Sequence, residues 1–206
     1  YPRNKGLDYD FCSDNDVDLL FEPSTEEIYN KDEPIIKNNY YNNILCDKFR
    51  KGHFDGVITV LNKFFTIIKS NKVYFGEKDF QQLKIIEKFI QEKYKSLDLV
   101  SVPTKRSEEG IAYSSRNEKL SKKQIQDFIS FHQKVGNFLK SLDKSFDIET
   151  ANQKAKDFIV KQEIEDLDYF EFRNNDDLSF NGTVSESRLF YAIYKGKVRL
   201  IDNLKV

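Results

Sequence analysis

Three polar passages of the sequence carry residue types that bind phosphorylated or carboxylated substrates. In the first, "YFGEKDFQQL", Gly76, Lys78 and Asp79 follow a short apolar run. A glycine lets the backbone approach a ligand closely, and a lysine beside a helix N-terminus suits phosphate. Gln81 and Gln82 can then present amides to a hydroxylated substrate. The passage predicts a polyphosphate site, with a solvated turn and a helix cap as the plainer alternative.

The second passage, "LCDKFRKGHFDGV", places Arg50 and His53 just before a predicted helix. An arginine pairs with a carboxylate through two parallel hydrogen bonds, so this passage favours an acid substrate. A single histidine is more often structural than catalytic, and we predict that role for His132. His53 is the stronger candidate, because Arg50 and Gly52 accompany it.

The third passage, "EEGIAYSSRNEKLS", contains Ser114, Ser115 and Arg116 in consecutive positions. Two hydroxyls, backbone amides and a permanently charged guanidinium suit a polyphosphate whose charge must be held during a displacement. An arginine in a lysine-rich chain indicates that geometry matters as well as charge. The alternative is an ordinary loop before a helix, with Ser121 as the cap.

Composition excludes several classes of partner. The 206 residues include 33 basic and 34 acidic side chains, a balance that gives no long-range attraction to nucleic acid or to an anionic membrane. No stretch reaches the roughly 20 apolar residues of a membrane span, and no signal-peptide pattern opens the chain. Cys12 and Cys46 lack metal-binding spacing and predict free thiols in a reducing compartment, so we expect a cytoplasmic protein. The chain contains no methionine, so we expect it not to be a complete translation product.

The first half of the chain alternates helices and strands in the manner of parallel βαβ units. In such units ligands gather at the carboxyl ends of the strands, where "GEKD" lies. The predicted elements are a strand at 17–21, a loop-dominated region at 22–50, a helix at 54–70, a strand at 72–76, a helix at 80–95 with Asp79 as its cap, and a strand at 97–103.

The second half changes to two helices followed by strands. We therefore predict an α/β protein with a Rossmann-like parallel-sheet domain over 1–104 and a smaller α+β C-terminal domain over 105–206. The predicted elements are helices at 122–143 and 148–161, and strands at 167–173, 188–194 and 198–203, the last two forming a hairpin across Lys195-Gly196.

Taken together, these passages resemble the pantoate–β-alanine ligase family. The matching motifs run in family order along nearly the whole chain, and "FGEKDFQQL" with "SSRN" at this separation is highly specific. The matches are "YPRN", "VDLLFEPSTEEIY", "RKGHFDGVITVLNKFF", "VYFGEKDFQQL", "VPTKRSEEGIAYSSRNEKLS", "DYFEFR" and "RLIDN".

The resemblance implies an ATP-dependent ligase of the nucleotidyltransferase superfamily. The carboxylate of pantoate would attack the α-phosphate of ATP to give pantoyl adenylate and pyrophosphate. The amine of β-alanine would then attack the adenylate, giving pantothenate and AMP. The resemblance also implies a homodimer that needs Mg²⁺. Neither step needs a covalent enzyme nucleophile, and both need alignment and neutralisation of phosphate charge.

The resemblance also implies roles for individual residues. Lys78, Arg116 and His53 would take part in the chemistry. Gly76 and Asp79 would contact the ribose, and Lys78, Ser114, Ser115 and Arg116 would hold the phosphates. Pantoate would be bound by Gln82, with Arg50 and His53 beside it, and Asp8 would serve the Mg²⁺.

The sequence departs from the family in lacking its His-x-Gly-His and "NP-x-Q-F" motifs, and it begins just after them. We therefore expect the chain alone to be inactive and its full-length parent to be active. Two rivals stay open. One is another adenylate-forming or cytidylyl-transferring relative, against which the paired glutamines argue. The other is a noncatalytic binding or dimerisation fragment.

Overall fold

The computed structural model divides into two compact units, Tyr1–Ile35 and Ile36–Val206. The smaller unit contains helices α1 (Lys5–Asp14) and α2 (Thr25–Ile28). Helix α2 begins with a capping box, in which the Ser24 hydroxyl and the Glu27 carboxylate each accept a backbone N–H of the other residue. The described residues are 5–29, 34–162, 164 and 166–206.

The strand predicted at 17–21 is wrong, because this run has irregular backbone. Val17 and Leu19 are 47% and 81% exposed, so the run lacks the buried face that stabilises a strand. The motif "YPRN" lies outside the described residues.

The larger unit holds five helices and five strands among its described residues. Its elements are α3 (Leu45–Phe49), α4 (His53–Ile68), β1 (Lys72–Gly76), α5 (Phe80–Lys93), β2 (Asp98–Val102), α6 (Lys122–Ser141), α7 (Ile148–Val160), β3 (Leu167–Asn174), β4 (Ser187–Lys195) and β5 (Val198–Lys205).

Strands β1 and β2 are parallel neighbours joined through α5, which confirms the predicted βαβ unit. Helix α5 buries an apolar stripe that includes Leu83, Ile86 and Phe89, as its spacing predicts. Helix α4 confirms the helix predicted at 54–70, and its last residue, Ile68, is 51% exposed. Helix α3 was not predicted, because its polar surroundings obscure a single short turn.

Strands β3, β4 and β5 form an antiparallel sheet in that order, with β4 in the centre. One face of β4 points Phe190 and Ala192 toward the core around α4 and α5. The other points Leu189, Tyr191 and Ile193 toward a second core. Because β4 is buried on both faces, its central residues 189–193 are all apolar or aromatic, and each large side chain there contributes about 1.5–3 kcal/mol.

The second core is closed by α6 and α7, which pack on the sheet through aromatic side chains. Phe138 and Phe158 stack at 4.5 Å between ring centroids, and Phe170 stacks on Phe158 at 5.6 Å. Both cores therefore share the antiparallel sheet. The predicted division of the chain near residue 104 stays a prediction.

Within the described ranges, no helix is both long enough and apolar enough to cross a membrane. Both cysteines are free thiols, and Cys46 is buried.

Candidate active site

The carboxyl end of β1 continues into a single 3₁₀ turn, Glu77–Asp79, that leads into α5. Gly76 has φ −73° and ψ 135°, an ordinary extended conformation, and a Cβ added there would meet no atom within 4 Å. Neither the backbone nor the packing of the described residues therefore requires a glycine at this position. Asp79 occupies the N-cap position of α5, but its carboxylate makes no cap hydrogen bond, so it was wrongly predicted to be the cap.

Two neighbouring cavities meet at Lys78. The first has about 410 Å³ of empty space including its open mouth, and the second about 260 Å³. Arg50, His53, Asp79 and Gln82 line the first. Ser114 and Arg116 line the second, and Lys78 lines both, together with Ile201 and Asp202.

The structure thus brings together most of the residues that the sequence singles out. Ser115 lies between the lining residues Ser114 and Arg116, and Gly76 lies two residues before Lys78, but neither lines a cavity itself. The roles of all these residues stay predictions.

The turn between α3 and α4 presents Arg50 and His53 to the first cavity. Gly52 makes this turn with φ 75°, a left-handed conformation that favours glycine. The Arg50 Nη1 donates to Nε2 of His53 at 2.9 Å, so the His53 proton resides on Nδ1. Burial lowers the pKa of His53, and the Arg50 charge lowers it further, which keeps the imidazole neutral at pH 7.

The loop before α6 is held by its own hydrogen bonds. The backbone N–H of Arg116 donates to the Ser114 hydroxyl at 3.2 Å, and its Nη1 donates to the Arg199 carbonyl at 3.3 Å. Ser121 and Gln124 then form a capping box at the start of α6, which confirms the predicted cap. The guanidinium of Arg116 is therefore directed toward β5.

The two glutamines of α5 differ in what they contact. Gln81 is buried, accepts from the Cys46 N–H at 2.9 Å, and donates to the carbonyls of Tyr41 and Ile44. The Gln81 amide therefore makes its hydrogen bonds within the protein, and these bonds hold the start of α3 against α5. Gln82 lines the first cavity, and within the described part of the chain its amide has no hydrogen-bond partner. Of the two, only Gln82 can present its amide to a substrate.

The walls of the two cavities carry an excess of positive charge. Arg199 lies near these walls without lining either cavity, and it is paired with Asp168 at 2.6 Å. Lys78, Arg50 and Arg116 have no carboxylate within ion-pair distance among the described residues. Burial lowers the pKa of Arg50, and the positive charges of Arg116 and Arg199 lower it further. Because like charges at close range are unfavourable, this arrangement fits a bound polyanion.

Several residues at the site were not predicted to take part in it. Tyr169 and Cys46 line the first cavity and contact each other, with 3.1 Å between Oη and Sγ. Asp202 and Asn203, both buried, belong to the motif "RLIDN", which the sequence analysis matched without assigning roles. One signal was present in the sequence. Alternation along β5 places Asp202 on the same face as the buried Leu200, where a carboxylate needs a partner.

Asp8 lies in the first turn of α1, in the smaller unit, and its side chain is exposed. Within the described residues, no group of three or more His, Cys, Asp or Glu side chains could hold a metal ion. Mg²⁺ commonly binds through one or two carboxylates together with substrate phosphates, so a preformed cluster is not required.

We expect the free energy of unfolding to fall as the pH drops below about 6.5, the ordinary pKa of a histidine. Burial lowers the pKa of His132 as well as that of His53. Below the unfolded value the unfolded chain therefore binds protons that the folded chain does not, and stability is lost until the folded values are passed. Each histidine contributes a slope of at most about 1.4 kcal/mol per pH unit. Denaturant unfolding at a series of pH values measures it.

The sequence contains two histidines, so a slope between about pH 5 and 6.5 can be assigned to them. Carboxylates with lowered pKa values, such as Asp55, lose their contribution at lower pH. The variant His53→Gln/His132→Gln should flatten the slope in this window. An unchanged slope in that variant would contradict the assignment.

Comparison with protein families identifies related proteins. A family model described as pantoate-beta-alanine ligase matches residues 1–205. A pantothenate synthetase of Caldicellulosiruptor bescii is 34% identical over 209 residues, which cover 100% of this chain and 74% of that protein. A pantothenate synthetase of Aquifex aeolicus is 35% identical over 212 residues, with the same two coverages of 100% and 74%.

Solved structures show the same relationship. The pantothenate synthetase of Thermus thermophilus superimposes with a TM-score of 0.87 at 27% identity, covering 100% of this chain and 75% of that one. The pantoate-beta-alanine ligase of Francisella tularensis, described as complexed with beta-gamma ATP and beta-alanine, superimposes with a TM-score of 0.77 at 32% identity. It is matched by 100% of this chain over 71% of its own length.

Proposed function

The chain belongs to the pantoate–β-alanine ligase family, and from this premise we propose that it condenses pantoate with β-alanine through a pantoyl-adenylate intermediate, forming pantothenate, AMP and pyrophosphate. The observation that carries the proposal is the convergence of Lys78, Arg50 and Arg116 on two adjoining cavities without carboxylate partners in the described chain. The phosphates of a nucleoside triphosphate supply the anionic partners that these three cationic side chains lack.

In the first step an oxygen of the pantoate carboxylate attacks the α-phosphorus of ATP. A new P–O bond forms, the bond from the α-phosphorus to the bridging oxygen breaks, and pyrophosphate leaves. In the second step the amine of β-alanine attacks the acyl carbon, an amide bond forms, and AMP leaves with the attacking carboxylate oxygen. A proton is lost from the amine. Both steps depend on charge stabilisation and alignment.

Lys78 and Arg116 hold the phosphates in this proposal, with Ser114 and Ser115 offering hydroxyls. Lys78 is suited to this position because it lines both cavities. Gly76 and Asp79 face the ribose. The Asp79 carboxylate makes no cap hydrogen bond to α5, which supports this role.

Pantoate lies in the first cavity, with the Gln82 amide on its hydroxyls and the Arg50 guanidinium near its carboxylate. His53 remains neutral and accepts from Arg50, so its role in this proposal is to orient that guanidinium. Binding of β-alanine is supported by the Francisella tularensis relative, whose structure is described as a complex with it. Asp8 stays the candidate ligand for Mg²⁺, which would supply further positive charge to the phosphates.

We place the reaction in the cytoplasm and expect a homodimer, with neither nucleic acid nor membrane as a partner. The balance of 33 basic and 34 acidic residues agrees with the last point.

Pantoate labelled with ¹⁸O in its carboxylate tests the proposal. With the full-length gene product, ATP and β-alanine, the label should appear in AMP, because one attacking oxygen stays on the α-phosphorus. Label in inorganic phosphate together with ADP would indicate attack on the γ-phosphate and overturn the adenylate. If unrelated acids supported AMP formation equally well, pantoate would not be the specific substrate. If no acid were turned over, the result would favour a noncatalytic binding or dimerisation module.

Gly76→Ala tests whether the nucleotide occupies the open space beside Gly76, which precedes the 3₁₀ turn Glu77–Asp79. We expect the KM for ATP to rise about 10-fold, since a methyl group would occupy space where the backbone approaches the ligand. The melting temperature should not fall, because the added Cβ meets nothing in the protein. Steady-state kinetics and thermal unfolding measure the two effects.

Gly136→Ala is the matched control for that variant. Gly136 lies in α6, and a Cβ there also meets nothing within 4 Å. Alanine should stabilise this helix by about 0.5–1 kcal/mol and leave the KM for ATP unchanged. An unchanged KM in Gly76→Ala would mean that no ligand approaches Gly76.

A further inference from the structure

Asn203, a buried residue of β5, contacts the turn that carries Lys78. Its Nδ2 donates to the Glu77 carbonyl at 2.9 Å and to the Lys78 carbonyl at 2.9 Å. Both N–H groups of one amide are thus used on two consecutive carbonyls of the 3₁₀ turn. The contact spans 125 residues of sequence and links the antiparallel sheet to the end of β1.

The orientation of the Asn203 amide is fixed by its third partner. Oδ1 accepts from the Arg188 Nη1 at 2.5 Å, and a guanidinium can only donate. Nδ2 must therefore face the two carbonyls. Arg188 also lies 3.5 Å from the Glu77 carboxylate and 4.0 Å from the Phe80 ring centroid. Asn203 and Arg188 together enclose the turn from Glu77 to Phe80.

Lys78 needs such support because its ammonium has no partner among the described residues. A lysine side chain without a partner is held only by its backbone and by the ligand, so the direction of the turn decides where the charge lies. The Asn203 backbone is itself hydrogen-bonded, since its N–H donates to the Asp202 carboxylate at 2.8 Å and its carbonyl accepts from Arg106 Nη2 at 3.0 Å.

We infer that Asn203 is a positioning residue that holds the Glu77–Lys78 backbone so that the Lys78 ammonium meets the phosphates of the nucleotide. This role rests on the proposed function, because it presumes that Lys78 acts on ATP. Asn203 also lines the first cavity, but both N–H groups of its amide donate to protein carbonyls and so are not available to a substrate.

A double-mutant cycle in the full-length gene product tests the inference. Asn203→Ala should lower kcat about 10²-fold in the wild-type background, the size of effect that a displaced catalytic group produces. In the Lys78→Ala background the same change should lower kcat by less than about 3-fold, because the group that it positions is already absent. A purely structural role would instead give the same factor in both backgrounds.

Asn152→Ala is the matched control. Asn152 also makes two hydrogen bonds to backbone, with the carbonyl and the N–H of Phe172 at 3.0 and 2.7 Å, but it lies on α7 away from the turn. The Asn152→Ala variant should lose about as much stability as Asn203→Ala but keep the wild-type kcat. If Asn203→Ala does not fold, Asn203→Asp keeps the shape and the acceptor for Arg188 but cannot donate to both carbonyls.

An unchanged kcat in the Asn203 variants, or equal losses with and without Lys78, would overturn the positioning role. Either result with an active wild-type protein would leave the ligase function standing. If the wild-type protein formed no pantothenate, the result would contradict the proposed ligase function and therefore also the positioning role of Asn203.

Discussion

Lys78→Ala is expected to lower the kcat of the full-length gene product by about 10²–10³-fold, the usual cost of removing a group that stabilises developing charge. Lys78 lines both cavities and has no carboxylate partner in the described chain, so its positive charge is available to the phosphates. The loss should be larger in kcat than in the affinity for ATP, because negative charge grows on the leaving pyrophosphate in the transition state. Single-turnover measurements of pyrophosphate release and ATP titration calorimetry separate the two.

The fold of the Lys78→Ala variant should be unaffected. The turn is held by backbone carbonyls that bond to Asn203, and these remain when the side chain is shortened. Lys88→Ala on the exposed face of α5 is the matched control and should change neither kcat nor stability. Wild-type turnover in Lys78→Ala would remove this lysine from the reaction.

The elements that position Lys78 could be predicted from local sequence. The run 72–76 forms β1 because it joins a β-branched residue and two aromatic ones, which favour a strand, and its alternate residues are half-buried. The segment after it forms α5 because its apolar residues recur at helical spacing and are buried. The short helix α3 and the irregular run 17–21 could not be predicted, since their state depends on whether their apolar side chains find a buried surface.

The site was predicted less completely than the fold. Motifs identified Lys78 and Arg116, and the structure brings both to adjoining cavities. Local sequence did not distinguish Gln81 from Gln82, because only the turn that precedes α3 shows that the first is already bonded. It also gave no role to Asn203, whose partners lie 125 and 126 residues away.

Arg106→Gln is expected to lower the free energy of unfolding by about 3–5 kcal/mol, the cost of leaving a buried charge without its partner. The Asp202 carboxylate accepts hydrogen bonds from Nη1 and Nη2 of Arg106, at 2.7 and 2.9 Å, and the Asp202 side chain is 1% exposed. Glutamine offers at most one of these bonds and no charge. Urea unfolding measures the change, and Arg106→Gln/Asp202→Asn should recover a large part of it, because the double variant buries no charge.

Lys37→Gln is the matched control, because its ion pair with Asp55 has nearly the same length, 2.8 Å. The Lys37 side chain is 75% exposed, so water already solvates the charge and the loss should not exceed about 1 kcal/mol. Burial, and not distance, should therefore decide the ranking of the two variants. Equal losses in both, or a double variant no more stable than Arg106→Gln, would show that the buried carboxylate does not depend on Arg106.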